Sequence, residues 1–193
     1  MRWRTSFTAV LGAAALVTTG CGAQEAPSDE ERQGTHSGQA RLSTPAFTAE
    51  RASDGPTGTP LYARLAASSA VGDTGQALTA RIAGTTYRSA TGIWIGCEGT
   101  AATAVYRLGG EFAALTGVLG LQPHTPERLR VRVSFIVDGE TRLATTLARD
   151  EQPRTVSIPL DGARAVTVSA LAIAGECAPA PAPYGAIGAA SLV

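Results

Sequence analysis

Cysteine is the residue type whose chemistry is easiest to assign in this chain, which contains three of them. Cys21 lies four residues after an apolar N-terminal run, residues 7–17, and is a candidate site for attachment of a lipid. Cys97 and Cys177 lie at opposite ends of a segment rich in predicted strands, and we expect them to form one disulfide bond. Both assignments place the folded part of the chain outside the cytoplasm, where thiols oxidise.

The histidines and acidic residues give little support for catalysis. His36 lies in a polar N-terminal segment, and His124 lies in a proline-containing loop where an exposed turn residue is expected rather than a base or ligand. The carboxylate pair Asp150-Glu151 falls in a predicted turn, and no His or Cys cluster has the spacing of a zinc site. We therefore predict no catalytic residue, no metal site and no cofactor. A structural calcium cannot be assigned from these residues.

The N-terminus has the organisation of an export signal. Two arginines, at positions 2 and 4, precede the apolar run, which is too short to span a bilayer. Residues 1–20 resemble the signal peptide of bacterial lipoproteins, in which cleavage before Cys21 leaves the thiol to carry diacylglycerol. Thr18 departs from that pattern, because Leu most often stands at the third position before the cut. Plain secretion with a free Cys21 thiol is therefore the alternative.

Residues 21–60 separate this signal from the folded part of the chain. They are mostly small or polar, and Leu42 and Phe47 are their only large apolar side chains. Such a segment cannot bury enough surface to offset the entropy lost on ordering. We predict a flexible, disordered linker over residues 21–60 and one folded domain over residues 61–193, a length that suits a single hydrophobic core.

The charge composition argues against some partners. The chain has 16 basic residues, none of them Lys, and 16 acidic residues, so its formal charge is zero. Nothing in this balance favours nucleic acid or an anionic membrane surface. We expect no nucleic-acid partner, and membrane contact only through the lipid anchor.

The folded part shows the alternation typical of half-buried strands. In residues 129–137 apolar side chains occupy every second position, and Asp138-Gly139 then favours a tight primed turn into residues 140–147. Asp161-Gly162 marks a second such turn. Further strands are predicted at residues 77–82, 92–97, 104–108, 112–121, 156–160, 163–173 and 187–193. About eight short antiparallel strands with glycine-rich turns predict an all-β sandwich, because two sheets must cover each other's apolar faces.

The order of these features resembles the NPCBM family, carbohydrate-binding modules that accompany glycoside hydrolases and related secreted proteins. The resemblance spans residues 61–193 and rests on six short pieces: residues 82–87, 92–93, 104–108, 120–121, 137–139 and 156–162. It implies a galactose-binding-like jelly roll that recognises sugar without catalysis. Two positions depart from the family: Gly96 stands where members commonly carry His, and Ile187 where many carry Trp.

Sugar modules stack the apolar face of a sugar ring on an aromatic side chain and direct a few polar groups at the hydroxyls. Trp94, between two glycines, is the candidate stacking residue, with capping of the sandwich core as the alternative. Tyr87, Arg88 and Glu98 are candidate polar contacts, with ordinary surface placement as the alternative. Tyr184 follows an Ala-Pro run that either presents it beside the predicted disulfide or only closes the domain edge.

The sequence thus predicts an exported, extracytoplasmic carbohydrate-binding module, lipid-anchored or secreted, for cell-wall or environmental polysaccharide. The alternative hypothesis is an envelope protein-interaction or structural module that has kept the sandwich and lost sugar binding. It is supported by the two departures and by the low aromatic content of 5%. No protein partner can be named from the sequence.

Overall fold

The chain divides into two compact units, Met1–Pro45 and Ala46–Val193. In this computed structural model the described residues are 55–69, 72–178 and 180–193, all within the second unit. The predicted signal peptide, Cys21 and most of the predicted linker lie outside the described residues. The part of the chain that the structure describes contains no helix long and apolar enough to cross a membrane.

The described residues form eleven β-strands and one short 3-10 helix, Leu61–Arg64. The strands in chain order are β1 (Thr59–Pro60), β2 (Leu65–Ser68), β3 (Ala77–Ile82), β4 (Thr85–Ile93), β5 (Ala102–Arg107), β6 (Ala114–Leu121), β7 (Arg130–Val137), β8 (Glu140–Leu147), β9 (Arg154–Pro159), β10 (Ala165–Ala174) and β11 (Gly185–Leu192).

The strands build two facing antiparallel sheets. One has the order β3-β4-β11-β6-β9, with β1 also paired to β11, and the other has the order β2-β5-β10-β7-β8. Strands that are neighbours in sequence therefore often lie in different sheets, as in a jelly roll. The predicted all-β sandwich is confirmed.

The core between the sheets follows the predicted alternation. In β7 the residues Val131, Val133, Phe135 and Val137 are each at most 4% exposed, whereas Arg130 and Arg132 on the other face of the strand are exposed. Burial of these large apolar side chains against the opposite sheet is the main driving force for the sandwich. The hairpin that follows is also as predicted, because Asp138 and Gly139 both have positive φ, at 46° and 89°.

The first sheet differs from the prediction in its early strands. The predicted strand at residues 92–97 is wrong in its bounds, because β4 is Thr85–Ile93 and the chain then leaves this sheet. Two further short strands, β1 and β2, lack the alternation that identifies a strand in sequence, which is why eleven strands form where about eight are expected. Thr59–Pro60, placed in the linker by composition, pairs with Ser191 and Leu192.

Candidate functional site

A disulfide joins two loops at one end of the sandwich. Residues 94–101 connect β4 in one sheet to β5 in the other, and residues 175–184 connect β10 back to β11. Cys97 and Cys177 in these loops are bonded, with their Cα atoms 6.0 Å apart, so the predicted disulfide is confirmed. The bond links two of the sheet-to-sheet crossings at this end. We call this end the disulfide rim, defined by residues 94–101 and 175–184.

Backbone hydrogen bonds fix the first of these loops. The Gly96 N–H donates to Ala170 O at 3.0 Å, and the Ala172 N–H donates to Gly96 O at 2.8 Å. The chain thus pairs with β10 of the second sheet only three residues after β4 ends in the first. Trp94 lies in the short connection between the two sheets.

The disulfide rim contains a pocket of about 400 Å³. This volume falls within the range of small-molecule sites. The lining consists of one indole, one phenol, one carboxylate, the disulfide and small apolar side chains: Gly72, Trp94, Ile95, Cys97, Glu98, Cys177, Ala178, Ala180 and Tyr184. We call it the rim pocket.

Trp94 forms one wall of the rim pocket. Its neighbours Ile93 and Ile95 are 2% and 4% exposed and pack in the core, so the Trp94 side chain points the other way and is half-buried. A Cβ at Gly72 would overlap the indole ring, which means that this glycine packs directly on it. The backbone N–H of Trp94 also donates to Thr74 Oγ1 at 3.2 Å, which fixes the main chain that carries the ring. The indole is therefore held in place, and it is not one of the side chains of the main core cluster.

Tyr184 is held by hydrogen bonds from two loops. Its carbonyl oxygen accepts from the Gln122 N–H at 2.8 Å and from Thr125 Oγ1 at 3.3 Å. Its own hydroxyl donates to Ala178 O at 2.9 Å, across the Ala-Pro run. The side chain is 7% exposed. Tyr184 thus gives the pocket a rigid wall beside the disulfide, while little of its ring is open to a ligand.

His124, which the sequence assigns to an ordinary exposed turn, lies next to this wall. It is exposed, as expected, but its ring centroid is 5.4 Å from that of Tyr184, and Nε2 is 3.4 Å from Ala182 O. It lines a shallow groove of about 360 Å³ that shares Ala180 and Tyr184 with the rim pocket. Pairing of β6 with β11 brings the two loops together, and no local sequence signal reports that pairing.

The other two sequence candidates lie elsewhere. Tyr87 is in β4 opposite Ala80, six residues before the strand ends, which is roughly 20 Å along the strand from the rim pocket. It is 9% exposed, belongs to a separate small apolar cluster, and packs its ring on Gly188. Arg88 is exposed on the same strand. Neither side chain lines the pocket, so the grouping of Tyr87 and Arg88 with Trp94 expected from their nearness in sequence does not occur.

The pocket has little charge of its own. Glu98 is exposed, with φ at 56°, and forms no ion pair with the described residues. In the neighbouring loops the Arg149 guanidinium donates to Glu127 and Asp150, and these hydrogen bonds raise the pKa of Arg149. Arg149 also donates to Thr125 O at 3.3 Å, which fixes the loop that holds Tyr184. Within the described residues no three His, Cys, Asp or Glu side chains are grouped to hold a metal ion.

The two departures from the family pattern have structural explanations. A Cβ at Gly96 would overlap the backbone of residues 100–102, so this loop leaves no room for any side chain at that position. Ile187 is fully buried in the main core and pairs with Thr91 and Leu119. Neither residue lines the rim pocket.

Comparison with known families decides the assignment of this sandwich. Residues 39–174, well over half of the chain, match the model of the NPCBM/NEW2 domain. The chain belongs to this family. The predicted resemblance is therefore confirmed, and the match begins upstream of residue 61, where the sequence places the domain start. No curated protein matches the sequence of this NPCBM family member significantly.

A solved structure shows the same fold, and others are more distantly similar. A family 51 carbohydrate-binding module, CBM51, from the GH95 protein of Clostridium perfringens, solved in complex with methyl-galactose, is 15% identical, with a TM-score of 0.52. The alignment covers 70% of this chain and 99% of that one. The M60 catalytic domain with CBM51-1 and CBM51-2 of Clostridium perfringens ZmpB is 16% identical, with a TM-score of 0.47 over 72% of this chain and 14% of that one. The galactose-binding-like sandwich is the architecture that the similarity to the first of these structures supports.

Proposed function

We propose that this chain is an exported, lipid-anchored, non-catalytic module that binds carbohydrate from cell-wall or environmental polysaccharide in the rim pocket. The observation that supports this most strongly is the half-buried Trp94 indole, held on one side by Gly72 and lining a pocket of about 400 Å³ in an NPCBM sandwich. The structural relative of this fold with methyl-galactose bound supports the same class of ligand.

The pocket offers the two kinds of contact that sugar recognition needs. The indole provides an apolar surface for the C–H face of a sugar ring, and the Glu98 carboxylate provides an acceptor for hydroxyl donors. The disulfide and the hydrogen bonds of Tyr184 keep the walls in one conformation. A preformed pocket of this kind loses little entropy when it binds.

Binding without turnover fits the composition of the pocket. Among the residues that line it, Glu98 is the one carboxylate, and Tyr184 donates its hydroxyl to a backbone carbonyl. Most glycoside hydrolases need two carboxyl groups placed on either side of the scissile bond. The nearest histidine, His124, lies in the adjacent groove and contacts no nucleophile or carboxylate in the described residues.

Export and anchoring rest on Cys21 and the disulfide. A disulfide between Cys97 and Cys177 forms readily in an oxidising compartment, which supports export. Mass spectrometry of the mature protein tests the anchor. We expect a chain that begins at Cys21 and carries added acyl mass, whereas an unmodified N-terminal cysteine would mean free secretion.

The test of the pocket is the loss of glycan binding on substitution of Trp94. We expect Trp94→Ala to weaken binding of the best glycan from an array by about 30-fold, because truncation of a central aromatic contact costs about 2 kcal/mol. Isothermal titration of the array ligand, with methyl-galactose as a simple probe, measures the change.

A matched pair of acidic residues controls this experiment. Glu98→Gln in the pocket is expected to weaken binding, while Glu140→Gln, at an exposed residue of β8 with 70% side-chain exposure, is expected to leave it unchanged. If Trp94→Ala binds glycan as tightly as the wild type, or if the two Glu substitutions change the affinity equally, the glycan does not bind in the rim pocket.

The second candidate function is an envelope protein-interaction or structural module on the same sandwich. It is favoured by Gly96 and Ile187, since one position admits no side chain and the other is in the core, where relatives carry His and Trp. Absence of retention on every glycan of an array by the folded, oxidised protein would favour this second function over the first.

A further inference from the structure

A second concavity lies at the other end of the sandwich, on the outer face of the five-stranded sheet. Its volume is about 670 Å³, larger than that of the rim pocket. It is lined by Ala66, Val105, Arg107, Gly109, Arg164 and Ala165, from β2, the end of β5 and the start of β10. We call it the arginine groove.

Strand register places its two arginines together. Ala104 and Tyr106 are 1% and 0% exposed, so the side chains of Val105 and Arg107 point outward from the sheet. Arg107 pairs directly with Ala165, and Arg164 immediately precedes that residue. The two guanidinium groups therefore stand at the same end of the groove, above a floor formed by the side chains of Ala66, Val105 and Ala165.

The positive charge of the groove is only partly offset by nearby acids. Strands β2, β5, β7 and β10 contain no acidic residue. Neither Arg107 nor Arg164 forms an ion pair with a carboxylate of the described residues. Glu111, four residues after Arg107, pairs with Arg64 instead. Asp138 accepts hydrogen bonds from the backbone N–H groups of Arg164 and Ala165.

These contacts also favour the ionised form of the Asp138 carboxylate. Backbone hydrogen bonds from Arg164 and Ala165, and then the charge of Arg164, lower the pKa of Asp138. Its carboxylate thus stays ionised at the edge of the groove and offsets part of the charge of Arg164.

We propose that the arginine groove is a second binding site, specific for acidic carbohydrate, in which Arg107 and Arg164 hold the carboxylate of a uronic acid residue. Planar guanidinium groups donate in pairs to carboxylate oxygens, which gives both affinity and geometric selection. The methyl groups of Ala66, Val105 and Ala165 supply an apolar floor for the C–H face of the sugar ring.

A sugar fits the groove better than an added peptide strand does. β5 and β10 are interior strands of this sheet, so an added peptide strand could pair only along the free side of the edge strand β2. It would not lie over the floor formed by Val105 and Ala165, where recognition depends on side chains and shape. The site is also independent of the rim pocket, because the two lie at opposite ends of β5, about 20 Å apart.

The experiment is a titration of the full chain with a galacturonate oligosaccharide and, separately, with a neutral galactose oligosaccharide of equal length. We expect Arg107→Gln and Arg164→Gln each to weaken galacturonate binding by about tenfold, since each removes a hydrogen bond to a charged group. Binding should also weaken as salt is raised. Arg154→Gln, at an exposed arginine of β9 in the other sheet, is the matched control and should have no effect.

Three outcomes would overturn the proposal. These are no binding of galacturonate, binding that neither arginine substitution alters, and equal binding of a poly-glutamate peptide or of anionic vesicles. Thermal melts of each variant establish that it is folded. The Trp94→Ala variant separates this proposal from the proposed function of the rim pocket. It should bind galacturonate as well as the wild type does, whether or not neutral sugar binds at the rim pocket.

Discussion

Removal of the Cys97–Cys177 bond is expected to lower the free energy of unfolding by about 4 to 5 kcal/mol, the chain-entropy value for a loop of this length. The two cysteines are 80 residues apart in sequence, so the bond strongly restricts the unfolded chain. For a domain of this size the loss corresponds to a fall in melting temperature of roughly 15 °C. Thermal melts followed by circular dichroism, with and without reductant, measure it.

The Cys97→Ser/Cys177→Ser double variant separates the bond from other effects of reductant. It should melt at the temperature of the reduced wild type, and reductant should not change it further. We also expect reduction to weaken ligand binding at the rim pocket, since both sulfurs line it. An unchanged melting point on complete reduction would show that the linked loops contribute little to stability.

The second large effect is expected at Gly96. Its Cβ position coincides with the backbone of residues 100–102, which cannot move aside as a flexible side chain can. Gly96→Ala must therefore displace the loop and strain the hydrogen bonds to Ala170 and Ala172, at a cost of about 3 kcal/mol. Urea denaturation of the oxidised protein measures the change.

Gly99 in the same loop provides the control. It has φ at 82° with no atom within 4 Å of a Cβ position, so Gly99→Ala adds backbone strain without overlap. We expect a cost of about 1 kcal/mol for this variant. Equal destabilisation by the two substitutions would contradict the overlap at Gly96. A smaller loss at Gly96 would mean that the family's His could be restored there without rebuilding the loop.

These substitutions also test why relatives and this chain differ. With His at residue 96 excluded by the turn that carries Cys97, any sugar recognition at the rim must use other side chains. Trp94, Glu98 and the neighbouring His124 are the ones within or next to the pocket. A change in which residues contact sugar is compatible with an unchanged fold, because the fold and the site depend on different positions.

Much of the fold could be predicted from the sequence because strand alternation and turn residues are signals carried by short segments. The alternation in β7, the Asp138-Gly139 turn and the return strand β8 follow from side-chain period and turn conformation over fewer than twenty residues. The early strands were harder to predict. β1 and β2 are short and are stabilised by pairing with β11 and β5, which lie far away in sequence.

The candidate site shows the same division. Glu98 and Trp94, which are close in sequence, line the same pocket, and so does Tyr184, which follows the Ala-Pro run; their contact with sugar stays a prediction. Proximity in sequence was misleading for Tyr87, because a strand of nine residues separates its two ends by roughly 30 Å. It also gave no indication of His124, which reaches Tyr184 only through the pairing of β6 with β11.

By itself the sequence determined the class of fold, the disulfide pair and the family, because each of these depends on residue types and their order along the chain. Only the tertiary structure decided which distant side chains share a surface: His124 with Tyr184 at one end, and Arg107 with Arg164 at the other. The physical reason is that strand register and the choice of sheet are set by long-range pairing and by burial of the whole core. Register and sheet choice are properties of the assembled sandwich and cannot be read from any single segment.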